Sequence, residues 1–169
     1  MADRFWGRLK FPAHLIDDEI RRALEEEGAE FDGETLIVSG SSVWEPEIRI
    51  EDNILILEDA QASYGMFEEL EDLLRRKGIP FDRESGQYAE YSAKLVIFRP
   101  AKDDASTALD LTIPLWNDEP FVSVREIREI IRSNPPTKGA YECVLAIQSY
   151  LDEHYPAYPP LSDYVKGLS

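Results

Sequence analysis

The residues best suited to chemistry in this chain are arginines and tyrosines set among carboxylates between positions 78 and 100. The segment reads Gly78-Ile79-Pro80-Phe81-Asp82-Arg83-Glu84-Ser85-Gly86-Gln87-Tyr88-Ala89-Glu90-Tyr91 and continues to Phe98-Arg99-Pro100. A guanidinium offers a planar fork of donors to a carboxylate or phosphate. A tyrosine offers an apolar face and a hydroxyl. Strand alternation places Phe81 and Arg83, and then Tyr88 and Glu90, on shared faces. Arg83, Tyr88, Tyr91 and Arg99 thus form one candidate recognition site. The same residues also suit a hairpin held by cross-strand aromatic and ion pairs. Both readings stand at this point.

Other chemistries find little support. The two histidines, His14 and His154, lie far apart and belong to no HxxxH or HExxH arrangement. A zinc site needs several suitable ligands at fixed spacing, and that spacing is absent. Ser39-Gly40-Ser41-Ser42 is rich in Gly and Ser but lacks the GxxxxGK of a phosphate loop. No GxSxG marks a nucleophile elbow. Asp32-Gly33-Glu34 and Glu51-Asp52-Asn53 do not match a calcium loop. With 34 acids in the chain, some carboxylates must fall close together whatever the fold, so pairing alone does not point to hydrolysis. Cys143, the single cysteine, sits in an apolar helical context and reads as a small buried hydrophobe. No catalytic residue, metal or cofactor is assigned.

The net charge of −16 is more informative. Phosphate binding draws on Lys and Arg, so nucleic acid is not expected as a direct ligand. Anionic membranes would repel the chain as well. The charge is uneven. Residues 15–60 hold 15 acids and three bases, while residues 61–99 hold seven acids and six bases. The candidate partner-binding residues are therefore Asp17, Asp18, Glu25, Glu26, Glu27, Glu30, Glu45 and Glu47. The expected partner is a basic protein, such as a nucleic-acid-binding complex. The first six of these carboxylates are expected to cluster on one exposed surface. Oligomeric state is not legible.

The elements that must position these residues follow from periodicity and breakers. A strand is expected over 4–11, with Phe5, Leu9 and Phe11 alternating with charged residues and Pro12 ending it. A helix over 17–27 carries Ile16, Ile20, Ala23 and Leu24 at helical spacing, with Asp17 or Asp18 as cap and Gly28 as stop. Asp17, Asp18 and Glu19 sit at the favourable end of its dipole. Glu25, Glu26 and Glu27 sit at the unfavourable end. Phe31-Asp32-Gly33-Glu34 reads as a turn, 35–38 as a short strand and Gly40-Ser41-Ser42 as a loop. Residues 47–51 alternate strictly, Asp52-Asn53 turns, and 54–57 reads as a strand buried on both faces. The clearest helix spans 65–77, with Met66, Phe67, Leu70, Leu73 and Leu74 as its stripe, acids leading, bases trailing and Gly78 closing it. Ile79-Pro80-Phe81 opens an edge-type strand, and 88–91 with 94–98 reads as a hairpin. Residues 103–108 read as a polar loop, 109–114 as a strand, and Asn117-Asp118-Glu119-Pro120 as a turn. A helix over 124–133 is capped by Ser123 with Glu126 in the capping box. A last helix over 138–154 turns Tyr141, Val144, Leu145, Gln148 and Leu151 inward. The tail Pro156-Ala157-Tyr158-Pro159-Pro160 is extended.

This order predicts an α+β fold: a ferredoxin-like (split βαβ) antiparallel sheet over 1–100, with two additional C-terminal helices over 101–169 packed on the same domain. No stretch reaches the roughly 20 apolar residues of a membrane helix, and no secretory signal is read, so the expected location is cytoplasmic. The run Tyr64-Gly65-Met66-Phe67-Glu68-Glu69-Leu70-Glu71, followed by Gly78-Ile79-Pro80-Phe81-Asp82-Arg83, Tyr88, Glu90-Tyr91 and Phe98-Arg99-Pro100, resembles a pattern in small bacterial and mobile-element proteins. That family has no assigned activity, so the resemblance carries no catalytic residue over.

Three functions follow as expectations. The first is a non-enzymatic acidic module that mimics nucleic acid, of anti-CRISPR or antirestriction type. The second is an interaction or immunity-type protein using aromatic anchors such as Trp6, Trp44 and Trp116. The third is a small enzyme using carboxylates with Arg83 or Arg99, which requires a concave pocket.

Overall fold

The computed structural model describes residues 3–33, 35–37, 45–101, 107–117, 119–137 and 139–165. The loop at Ser39-Gly40-Ser41-Ser42, the end of the 35–38 strand, Trp44 and most of the 103–108 loop lie outside the described residues.

The chain is α+β, with a seven-stranded antiparallel sheet and four α-helices among the described residues. The strands are β1 (Arg4–Pro12), β4 (Glu47–Glu51), β5 (Ile54–Ser63), β6 (Phe81–Ser85), β7 (Lys94–Arg99), β8 (Leu109–Trp116) and β9 (Glu119–Pro120), in spatial order β4-β5-β1-β6-β7-β8-β9. A separate two-stranded hairpin joins β2 (Glu30–Asp32) to β3 (Thr35–Ile37). The sheet is longer than the four strands of the expected core, and it continues past residue 100 because β8 pairs along the whole of β7.

Helices α1 (Asp18–Glu26) and α2 (Glu68–Lys77) cover one face of the sheet. Leu9, Phe11, Ile20, Leu24, Leu70 and Phe81 are fully buried between them. Burying a large apolar side chain contributes about 1.5–3 kcal/mol, so this layer fixes where both helices sit. Asp17 caps α1, its carboxylate accepting from the Glu19 and Ile20 amides at 3.1 and 3.0 Å. Gly78, at φ 65°, ends α2 in the left-handed conformation that favours glycine. Asp52 and Asn53 both take positive φ and turn β4 into β5.

Several expectations are corrected. The second helix starts at Glu68 rather than 65, because Tyr64 and Gly65 form a turn with φ of 53° and 63°. A side chain at Gly65 would collide with the Phe5 ring and the Ser85 Cβ. β6 is an interior strand between β1 and β7, not an edge. Pro80 precedes its first residue and so removes no ladder bond. Residues 88–91 form a tight turn, with Tyr88 N donating to Tyr91 O at 3.0 Å and Tyr91 N to Tyr88 O at 2.8 Å. The β7 strand pairs with β6 and β8 instead of that segment.

The C-terminal helices are α3 (Val124–Ser133) and α4 (Ala140–His154). Ser123 caps α3 as its sequence implies. The α4 stripe does not turn inward: Tyr141, Val144 and Leu145 are exposed, and Cys143 is the buried residue of that helix. The extended tail after α4 returns to the sheet face opposite α1 and α2. There Arg99 Nε donates to Pro159 O at 2.9 Å. No helix among the described residues is long and apolar enough to cross a membrane.

Candidate functional site

The two arginines of the 78–100 segment serve different faces of the sheet. Arg83 and Phe81 share the face packed on α2, and Arg83 Nε lies 3.2 Å from Glu71 Oε1. Arg99 lies on the opposite face. Its Nη2 sits 2.8 Å from Asp82 Oδ1, and its Nη1 donates to the carbonyls of Phe81 and Phe98 at 3.0 and 2.9 Å. The rings of Tyr158 and Tyr164 lie 5.8 Å from its guanidinium. Arg99 therefore ties the tail to the sheet through Nε, while Nη1 donates within the sheet and Nη2 pairs with Asp82. The structure does not bring Arg83 and Arg99 into one site.

Tyr91 and Tyr64 line a cavity together with Arg83, whereas Tyr88 does not line it and is exposed. Phe5 stacks on Tyr88 and Tyr91 at centroid distances of 5.6 and 5.8 Å, and Tyr64 meets Tyr91 edge-on at 5.9 Å. Burial raises the Tyr91 hydroxyl pKa, and the charges of Asp3 and Glu90 raise it further. Sequence reasoning missed Glu71. It is buried beside Arg83, and its Oε1 also accepts the Phe67 amide at 3.1 Å. The signal was present: Glu71 falls four residues after Phe67 and three before Leu74, on the apolar stripe. Burial lowers the Arg83 pKa, while Glu71 opposes that shift and Arg75 adds to it.

The carboxylates divide into two groups. α1 and α2 pack antiparallel, so the start of one meets the end of the other. At that junction Lys77 Nζ reaches Asp17 Oδ2 and Glu19 Oε2, each at 2.7 Å. The hydrogen bond from Lys77 holds the Asp17 carboxyl below the usual range, and the same contact raises Lys77. At the far junction Glu25, Glu26 and Glu27 end α1, while Glu68 and Glu69 begin α2. Asp59 of β5 joins them, and a groove of about 310 Å3 runs between Glu27, Asp59, Glu68 and Glu69, with Arg4 at its side. Burial raises the Glu27 pKa, and the neighbouring Asp59, Glu69 and Glu26 raise it further.

The six carboxylates expected to share one surface are thus split. Asp17 and Asp18 lie roughly 15 Å along the helix from Glu27. Glu30 is exposed on β2. Pro46 lies against Gly28 and brings the exposed Glu45 and Glu47 towards the acidic end. Glu47 there is paired with Arg49 at 2.9 Å. Trp6 is partly buried and donates to Glu58 Oε1 at 2.8 Å, whereas Trp116 is exposed. His14 and His154 are both exposed and lie on separate elements. Comparison with family models, curated proteins and solved structures returned no match for the chain.

Proposed function

We propose that the protein is a non-enzymatic acidic binding module that presents a negative surface to a basic, nucleic-acid-processing protein in the cytoplasm, as an inhibitor of anti-CRISPR or antirestriction type does. One observation carries this reading. Glu26, Glu27, Asp59, Glu68 and Glu69 gather at one end of the helix pair, and none of them is in an ion pair among the described residues. Like charges held together cost folding stability and gain nothing for the core. A basic partner would relieve that repulsion, which gives binding a driving force and a steep dependence on salt.

A ferredoxin-like core would suit this surface. The order β4-β5-β1-β6 puts β5 between the strands that α1 links, and β1 between those that α2 links. On this reading β7, β8 and β9 extend a split βαβ sheet and leave the far ends of both helices open.

The test is affinity capture from the native host with the wild-type chain and with the Glu26→Gln, Glu27→Gln, Glu68→Gln, Glu69→Gln variant. The proposal expects a basic nucleic-acid-binding protein that only the wild type retains. Equal retention by both chains would refute it. The exposed Tyr141, Val144 and Leu145 on α4 favour a second reading, protein interaction through apolar anchors. Retention that survives high salt and is lost in Tyr141→Ala would support that reading instead.

A further inference from the structure

The Arg83 side chain lines a cavity of about 180 Å3 at the end of the sheet, next to the 63–66 turn. Phe5, Tyr64, Met66 and Tyr91 form its apolar walls, and Ser85, Ser92 and Lys94 add polar groups. The construction is specific. Ser85 and Lys94 are directly opposed in the β6–β7 ladder, so their side chains share the face that carries Arg83. Gly7 and Gly65 let the turn close on β1, since a Cβ at Gly7 would lie 2.8 Å from the Gly65 carbonyl oxygen. Residues far apart in sequence, including Tyr64, Gly65, Arg83 and Tyr91, meet at this one place.

Arg83 is only 5% exposed, and Glu71 is its one polar partner among the described residues, reached through Nε. A guanidinium has five donors in a fixed fork. Its Nε is buried without a well-aligned hydrogen bond, and no described residue accepts from the outer nitrogens of this cavity-lining side chain. An acceptor bound in the cavity would give those donors a partner.

We propose that this cavity binds a small organic anion, an oxyanion head group bonded to Arg83 and Lys94 with a flat apolar group against Phe5 and Met66. The cavity lining contains no carboxylate. Glu71 is held by Arg83, and Asp3 and Glu90 act on Tyr91 without lining the cavity. Pockets for drug-sized ligands run from about 300 Å3 upwards, so this one takes a head group and one ring rather than a whole cofactor. The inference stands apart from the acidic surface, because it uses none of the carboxylates at that end.

The experiment is an NMR titration of the full chain with phenyl phosphate and, separately, with benzoate. Saturable shifts at the amides of Tyr64, Gly65, Ser85, Tyr91 and Lys94 are expected for at least one probe, and the tighter probe identifies the head group. Lys94→Met is expected to weaken binding about tenfold, the usual loss for one charge-assisted contact. Because Arg83→Met alone strands a buried Glu71, the paired Glu71→Met, Arg83→Met variant is the second arm. It should keep a cooperative unfolding transition and lose binding by about a hundredfold or more. Failure of both probes to saturate, or saturation that neither variant weakens, would overturn the proposal.

Discussion

At one end of the α1–α2 pair Asp17 and Glu19 meet Lys77, and at the other Glu26 and Glu27 lie beside Glu68 and Glu69. Both ends are built from the same two helices, but the bases of α2 lie at the first end alone. α2 follows its dipole, with acids first and bases last. α1 carries acids at both of its ends. Antiparallel packing therefore makes one junction a set of ion pairs and the other a concentration of like charge. The first junction supports the fold. The second opposes it, and a disfavoured arrangement of this kind is the natural place for a partner to bind.

The largest expected effect separates the α2 acids that the fold uses from those it does not. Glu71→Ala leaves Arg83 buried without its counter-charge and should cost about 3–5 kcal/mol in urea unfolding. Glu69→Gln on the same helix should cost nothing measurable. Equal losses for the two would erase the distinction between structural and surplus acids.

The two junctions should also respond to pH with opposite sign. The Asp17 carboxyl is depressed by its Lys77 hydrogen bond. Its contribution is present above the unfolded carboxyl pKa and is lost as pH falls through the lower folded value. Lys77→Met should thus lower the thermal midpoint at pH 7 by about a few degrees. That difference should disappear in strong acid. Glu27 is raised, chiefly by burial and then by Asp59, Glu69 and Glu26. It penalises the fold once ionised, so stability falls as pH rises through its folded pKa. Glu27→Gln should raise the midpoint at pH 7 by about a degree or two, and the gain should vanish below the unfolded carboxyl pKa. Thermal scans between acid and neutral pH test both. Shifts of the same sign for both variants would break the comparison.

What the sequence reveals here is local. The Ser123 cap and the span of α3 can be read directly, because the capping residue and Glu126 are three apart. The stop at Gly78 and the turn at Asp52-Asn53 are equally legible, since each depends on residues in the turn itself. What escapes is set by distant partners. Asp17 and Lys77 are 60 residues apart, so nothing in residues 15–60 shows which acids are neutralised. The start of α2 depends on Gly7, Phe5 and Ser85 crowding Gly65. Apolar residues lie around much of α4, and the buried one, Cys143, is outside the stripe read from spacing, so spacing alone cannot say which face finds a partner. The candidate site was half legible: Arg83 and Tyr91 meet in one cavity, but Arg99 points to the other side of the sheet.

The most direct test of the acidic-end account is the salt dependence of affinity for the captured basic partner, measured by titration calorimetry. The wild type is compared with the Glu26→Gln, Glu27→Gln, Glu68→Gln, Glu69→Gln variant and with an Asp18→Asn, Glu19→Gln variant at the paired end. Neutralising the acidic end should weaken binding by more than about tenfold and flatten the salt dependence, while the paired-end variant stays close to wild type. Affinity that is indifferent to the acidic end, or that depends equally on both ends, would contradict the account.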